Sequence, residues 1–206
     1  MISMMYLAKT CTAFSTSKSS FLSKPLQHTS SSHTATGRPQ SSTKLSMGLE
    51  IKIRIVGRKN GSEKWIEDAY KMYDTRLTAN IDVETIWHKN NDDLTKNVLG
   101  DAEKGHAVVL LDPTGKIGTS EKFSDDVYDW LDEGGSRLSF VIGGAEGLPV
   151  ELKHDKGGNK GGSGGRSRFQ LFSLSTLTFT HQFARVLLIE QIYRASEIRK
   201  GSGYHK

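Results

Sequence analysis

Cysteine is nearly absent from this 206-residue chain, and its one thiol, Cys11, lies close to the N-terminus. Residues 48–206 therefore hold no disulfide, no thiolate metal site and no cysteine nucleophile. The five histidines of that region (His88, His106, His154, His181, His205) show no HExxH or comparable ligand spacing, which argues against a bound metal. Long apolar runs are missing too. No stretch approaches the roughly 18 apolar residues of a membrane span, so no membrane partner is expected. No GxGxxG follows the first strand pattern, and Gly115-Lys116-Ile117 lacks the Ser or Thr and the upstream glycine of a P-loop. Without a GxSxG elbow, a Ser-His-Asp hydrolase has no sequence support.

Acidic residues are absent from Met1 to Met47, which carry five Lys or Arg, twelve Ser and seven Thr. With no sustained apolar period, this segment cannot bury enough surface to offset the entropy of ordering. Acid-free, Ser-rich and weakly basic composition is that of an organellar transit peptide. Scarce arginine makes it more chloroplast-like than mitochondrial; an ordinary disordered tail is the plainer alternative. The expected organisation is thus a transit peptide over 1–47 and one folded domain over 48–206. The tail holds the whole net charge of +5, leaving the domain neutral. Within the domain, residues 48–150 are net −6 and residues 151–206 net +6. The basic end suits a polyanion, bound through counterion release from its phosphates, or is simply one of two ordinary surface faces.

From Leu49 onward the apolar pattern alternates between the two regular periods. Leu49–Val56 and Ile81–Trp87 alternate as strands. Lys64–Leu77 places Trp65, Ala69, Met72, Tyr73 and Leu77 at helical spacing, and Leu94–Lys104 is a weaker helix. Ala107–Leu111 and Leu138–Ile142 are continuous apolar runs, as expected of strands covered on both faces. Ser120 or Ser124 is a candidate cap for a helix reaching Leu131 and stopped by Gly134-Gly135. Phe169–Leu174 reads as a fifth strand, followed by a helix over Phe183–Arg199. This order predicts an α/β fold, a doubly wound and mostly parallel sheet. Gly157–Arg168 is low in complexity and reads as a loop insertion, neutral or RNA-contacting.

Ligands of such sheets bind beyond the carboxyl ends of the strands. Three segments end there with suitable chemistry: Leu111-Asp-Pro-Thr-Gly115, Ile142-Gly-Gly144 and Leu174–Phe179. The glycines of Gly143-Gly-Ala-Glu-Gly147 permit a tight turn, or let a ligand lie against peptide groups. The Ser/Thr-rich run Leu174–Phe179 offers backbone and hydroxyl partners to a heterocycle. On the last helix, Arg194 sits near the buried stripe, where a charge is costly unless paired. Glu190 or Glu197 would pair it structurally; a phosphate or cofactor carboxylate is the alternative. Tyr204-His205 would ordinarily fray unless something tethers them.

Phe140-Val-Ile-Gly-Gly-Ala-Glu-Gly-Leu148, Leu177-Thr-Phe-Thr-His-Gln-Phe-Ala-Arg-Val-Leu-Leu-Ile-Glu-Gln-Ile-Tyr-Arg-Ala195 and the ending Tyr204-His-Lys206 together resemble one family. This is the bacterial ribosomal-RNA large-subunit methyltransferase H family of the SPOUT superfamily, and the resemblance covers Leu49–Lys206. It implies S-adenosylmethionine-dependent methylation of a pseudouridine N3 in large-subunit rRNA, a C-terminal trefoil knot and a homodimer. Position by position, it implies that Leu111, Gly143, Leu174, Ser175, Thr176, Leu177, Thr178 and Phe179 contact the cofactor, largely through backbone. Arg194, Tyr204 and His205 match the catalytic and substrate-binding residues, with the tail of one subunit completing the pocket of the other. Two features depart from the family pattern. Thr180 stands where Pro usually precedes His-Gln, and the glycine-rich insertion at 156–168 lengthens a segment between two cofactor loops. The competing readings are another SPOUT activity on tRNA or ribose, a non-catalytic ribosome-binding factor, and a small-molecule α/β enzyme.

Overall fold

A computed structural model of the chain describes residues 48–77, 81–154 and 169–206. The segment 1–47 and the glycine-rich stretch 156–168 lie outside the described residues. Five strands, β1 (Leu49–Val56), β2 (Ile81–His88), β3 (Ala107–Lys116), β4 (Arg137–Ile142) and β5 (Gln170–Phe172), form one sheet in the order β2-β1-β4-β3-β5. Every pairing is parallel. The helices are α1 (Lys64–Leu77), α2 (Asn91–Glu103), α3 (Ser120–Glu133), α4 (Val150–Lys153) and α5 (His181–Arg199).

The sheet is covered on both faces, and strand alternation decides which residue faces which core. Ile51, Ile53 and Ile55 are fully buried with Leu138, Phe140 and Ile142 against α1, α3 and α5. Burying each such side chain contributes about 1.5–3 kcal/mol. The next residue along each strand points the other way. Val108, Leu110 and Val141 pack with Leu94 and Val98 of α2, Leu152 of α4 and Phe169.

Arg54 and Ser139 also face α2, and both are buried. Asp101 holds them there. Arg54 donates to its two carboxylate oxygens at 2.7 and 2.8 Å, and Ser139 Oγ donates at 2.6 Å. The strict alternation of β1 therefore encodes an apolar face and a face that buries a satisfied ion pair.

Several expected boundaries shift, each for a local reason. Helix α2 starts at Asn91, because Asn90 caps it by accepting from Asp93 N at 2.9 Å. Neither Ser120 nor Ser124 caps α3. Thr119 does, accepting from Lys122 N, while buried Ser124 donates to the Ala195 carbonyl at 3.0 Å and ties α3 to α5. Helix α3 runs to Glu133, where Gly134 is its C-cap and Gly135 takes a φ of 60°. Helix α5 begins at His181 rather than Phe183, because Thr180 is its N-cap. Strand β5 is only Gln170–Phe172, and the short α4 carries too few residues to show a period.

Strand β3 continues past its apolar run. Phe172 pairs with both Leu111 and Lys116, so residues 112–115 bulge out and the chain returns to the same partner. Ser173 N donates to Lys116 O at 2.9 Å. At Gly115 a Cβ would sit 2.6 Å from the Phe172 backbone, so only glycine lets these segments come this close.

Candidate active site

The three segments singled out at strand ends meet in one cavity of about 550 Å³. Its walls come from the loops after β3 (Leu111, Asp112, Pro113), β4 (Ile142 to Ala145, Gly147, Leu148) and β5 (Ser173 to Ser175, Leu177 to Thr180). His181 and Ala184, at the start of α5, close it. Leu111, Gly143, Leu174, Ser175, Leu177, Thr178 and Phe179 all line it; Thr176, exposed in the same turn, does not.

Each loop is fixed by its own bonds. Asp112 accepts from Thr114 N at 2.9 Å and Thr114 Oγ1 at 2.6 Å, and it pairs with Lys153 of α4. Burial pushes the Asp112 carboxyl up, but the Lys153 and Thr114 bonds outweigh it and hold it below the ordinary value. In the second loop Gly147 N donates to Gly144 O at 3.0 Å, and Gly147 takes a φ of 81°. A Cβ on Gly143 would lie 2.4 Å from the Gly147 carbonyl carbon, so two stretches of bare backbone touch here. In the third, Ser173 Oγ donates to Ser175 O at 2.8 Å and Leu177 N to Ser175 Oγ at 3.0 Å.

Thr180 closes the third loop onto α5. Its φ of −62° and ψ of 147° are values that a proline would hold, and its hydroxyl accepts from Phe183 N at 3.4 Å. The residue that departs from the family pattern thus keeps the backbone path and adds a cap. Burial pushes the His181 pKa down, so this wall is neutral at pH 7. Among the described residues, Asp112 is then the one formally charged residue lining the cavity, and Lys153 balances it.

Arg194, Tyr204 and His205 do not line the cavity. They form a second cluster near the far end of α5, about 20 Å along the helix from His181 at 1.5 Å per residue. Glu190 is its hub. Its Oε1 accepts from Arg194 Nε at 3.1 Å, Arg194 Nη2 at 2.6 Å and the Tyr204 hydroxyl at 3.2 Å. Glu197 instead pairs with Lys200 at 2.9 Å.

Arg194 lies 5.0 Å from the Tyr204 ring centre, and Tyr204 stands edge-on to Tyr193 at 4.8 Å. His205 has Nδ1 3.4 Å from Arg194 Nη1 and Nε2 2.8 Å from Glu121 Oε1 on α3. The C-terminal residues are therefore tethered, and the tether is the chain's own α3 and α5. Burial, aided by Tyr73 and Glu190, pushes the Tyr204 phenol up to about 12, so it is a donor at neutral pH.

Asp112, Glu190, Glu121 and Thr180 hold these two sites; sequence reasoning named Glu190 as a possible structural partner and Thr180 as a departure from the family pattern, placed Asp112 only within a strand-end segment, and gave Glu121 no role. The signal for Asp112 was its position after the apolar run of β3. Glu121 is 84 residues from His205 and left none. The other helical arginines are structural: Arg185 is buried, pairs with Glu67 and lies 4.4 Å from the Tyr70 ring, and Arg199 lies over Tyr128.

A parallel sheet with its cavity at the β3, β4 and β5 ends, approached by a glycine turn and a Ser/Thr loop, defines a ligand-binding protein of the α/β class. The family model described as "Predicted SPOUT methyltransferase" matches residues 49–205. The chain belongs to that family. It is 46% identical over 156 residues to the ribosomal RNA large subunit methyltransferase H of Protochlamydia amoebophila, covering 76% of this chain and 99% of the relative. Proteins of the same name from Synechococcus sp. (34% identical, 75% and 96% covered) and Parasynechococcus marenigrum (36%, 75% and 95%) are also similar.

Proposed function

We propose that this chain methylates N3 of a pseudouridine in large-subunit ribosomal RNA, with S-adenosylmethionine as donor. The observation that carries the reading is the convergence of three strand-end loops on one cavity, within a family match that spans the described fold. The cavity suits the donor. Its volume lies within the roughly 300–1,000 Å³ of small-molecule sites. Its apolar walls and bare glycine backbone admit a flat heterocycle, and Asp112, its charge balanced by Lys153, fixes the first of the three loops. When bound, S-adenosylmethionine supplies an electrophilic methyl group on a sulfonium.

The residues of the second cluster have the chemistry the acceptor needs. N3 of the base must lose its proton as the N–C bond forms. With Nε2–H given to Glu121, His205 keeps its lone pair on Nδ1, which faces Arg194 Nη1 at 3.4 Å and in this reading exchanges that contact for the proton of N3. Arg194 stabilises the negative charge that develops on the imide, and Tyr204, its one O–H proton given to Glu190, orients the base through its ring. Holding the partners in line contributes about 7–11 kcal/mol in favourable cases.

One protomer separates cavity and cluster by about 20 Å. A homodimer in which the cluster of one subunit meets the cavity of its partner removes that gap, and this supports the dimeric reading. We also place the protein in the chloroplast, with a mitochondrion as the alternative. The acid-free composition of 1–47 and a family match that begins only at residue 49 support an added targeting segment.

The test is methylation of ribosomes lacking the mark, with nucleoside mass spectrometry locating the product. N3-methylpseudouridine in large-subunit rRNA is the expected outcome. A methylated ribose or tRNA base would reassign the activity within the superfamily. No calorimetric binding of S-adenosylmethionine would reduce the chain to a ribosome-binding factor.

A further inference from the structure

Next to the Arg194–Tyr204–His205 cluster, helix α1 brings up a cation that the reading above does not use. Arg76 is exposed, in the last turn of α1. Its guanidinium lies 5.8 Å from the Tyr73 ring centre and 5.7 Å from that of Tyr193. Those two rings are 5.8 Å apart, and Tyr193 also packs against Tyr204. Arg76, Tyr73, Tyr193, Tyr204 and Arg194 thus form one continuous patch of arginines and tyrosines.

Among the described residues Arg76 has no carboxylate partner. The reason is its spacing: on α1 the positions three and four residues before it are Tyr73 and Met72, neither an acid. Glu190, the carboxylate at the hub of the cluster, is already shared by Arg194 and Tyr204. A guanidinium stacked on aromatic faces keeps its in-plane N–H donors for a planar or tetrahedral anion. Arginine alternating with aromatic rings is also the surface on which unstacked RNA bases and their phosphates settle.

We infer that Arg76 binds an RNA phosphate beside the acceptor nucleotide, with the Tyr73–Tyr193 pair as its platform. This rests on the RNA-modifying reading above and adds a substrate-binding residue to it. Arg76 acts on RNA affinity and stays out of the methyl transfer itself.

The experiment measures binding of wild type, Arg76→Ala and Arg76→Lys to large ribosomal subunits lacking the modification, by co-sedimentation at several salt concentrations. Arg76→Ala is expected to weaken binding about tenfold. It should also lower the slope of log affinity against log salt by about one, whereas Arg76→Lys keeps the slope. S-adenosylmethionine affinity and sedimentation as an oligomer should stay as in wild type. Unchanged subunit affinity and slope in Arg76→Ala overturns the assignment. So does weakening that follows loss of the oligomer, which would make Arg76 an assembly residue. Wild type that binds subunits without methylating them overturns the proposed reaction and leaves the Arg76 comparison readable. Wild type that binds none overturns both.

Discussion

His205 Nε2 lies 2.8 Å from Glu121 Oε1, so a residue one position from the C-terminus is anchored to a helix 84 residues earlier in the chain. The His205 bond, helped by Thr119, holds the Glu121 carboxyl down at about 2. A depressed carboxylate contributes its share above its unfolded pKa, near 4.5, and loses it as pH falls toward 2. The tail should stay anchored throughout the neutral range in wild type. Glu121→Gln should release residues 202–206, read as sharpened backbone NMR signals at pH 7. An unaltered tail spectrum would show that Glu121 does not hold it.

Arg194 is paired with Glu190 and does not line the cavity, so in the proposed reaction it serves the acceptor base rather than the donor. Arg194→Ala should cut the methylation rate about 100-fold or more. Calorimetric affinity for S-adenosylmethionine should be unchanged, because in this reading Arg194 acts on the acceptor base and not on the donor. A variant with wild-type turnover would remove Arg194 from the reaction.

Most of this architecture was legible in the sequence. The alternation of Leu49–Val56 and the 3.6-residue spacing of Lys64–Leu77 give β1 and α1 with their bounds unchanged. The loops around Gly143 and Leu174 were legible because strand ends in parallel sheets are where ligands bind. Caps were harder. Thr119, Ser120 and Ser124 are all capable of capping, and only the bonds of Ser120 and Ser124 to α5 decide among them. The bulge at 112–115 and the Glu121–His205 contact depend on distant chain segments meeting, which no local period records. The 20 Å gap between cavity and cluster was likewise invisible, since the family motif Leu177–Ala195 runs unbroken from the third cavity loop to Arg194.

Gly143 is a position where one methyl group decides the outcome. Gly143→Ala would place a Cβ 2.4 Å from the Gly147 carbonyl carbon and 2.6 Å from Leu148 N, and both are backbone atoms that cannot rotate away. Overpacking of this kind costs about 1–3 kcal/mol. The variant should melt earlier and lose measurable S-adenosylmethionine binding, because the turn that lines the cavity must move. Wild-type donor affinity in a folded Gly143→Ala protein would mean that this turn does not shape the site.

Thr180 combines a proline-compatible φ of −62° with an N-cap bond to Phe183. Thr180→Ala loses the cap and should cost about 1 kcal/mol. Thr180→Pro loses the same bond but stiffens the unfolded chain, which returns about 0.4–1 kcal/mol. Urea unfolding should therefore rank Thr180→Pro above Thr180→Ala and within about 1 kcal/mol of wild type. The opposite ranking would show that the loop does not tolerate the family's usual residue here.

The buried pair under α2 sets the acid limit of the fold. Asp101→Asn leaves Arg54 buried with its charge uncompensated and should cost about 3–5 kcal/mol. Burial pushes the Asp101 carboxyl up, yet the Arg54 and Ser139 bonds hold it below the ordinary value. Its contribution therefore persists until the pH falls below the usual carboxylate range. The histidines beside it fail earlier. Burial pushes His88 down against the pull of Asp93, and Arg54 adds to the depression. His106 is pushed down by burial against the attraction of Asp101.

Unfolded histidine takes up a proton below about pH 6.5, while these two resist it in the fold. The unfolded state then binds more protons, so stability falls as pH drops from 7.5 to 5.5. The urea midpoint of wild type should fall across that window, and the double variant His88→Gln, His106→Gln should fall less. Equal slopes in the two proteins would rule out the buried histidines as the source.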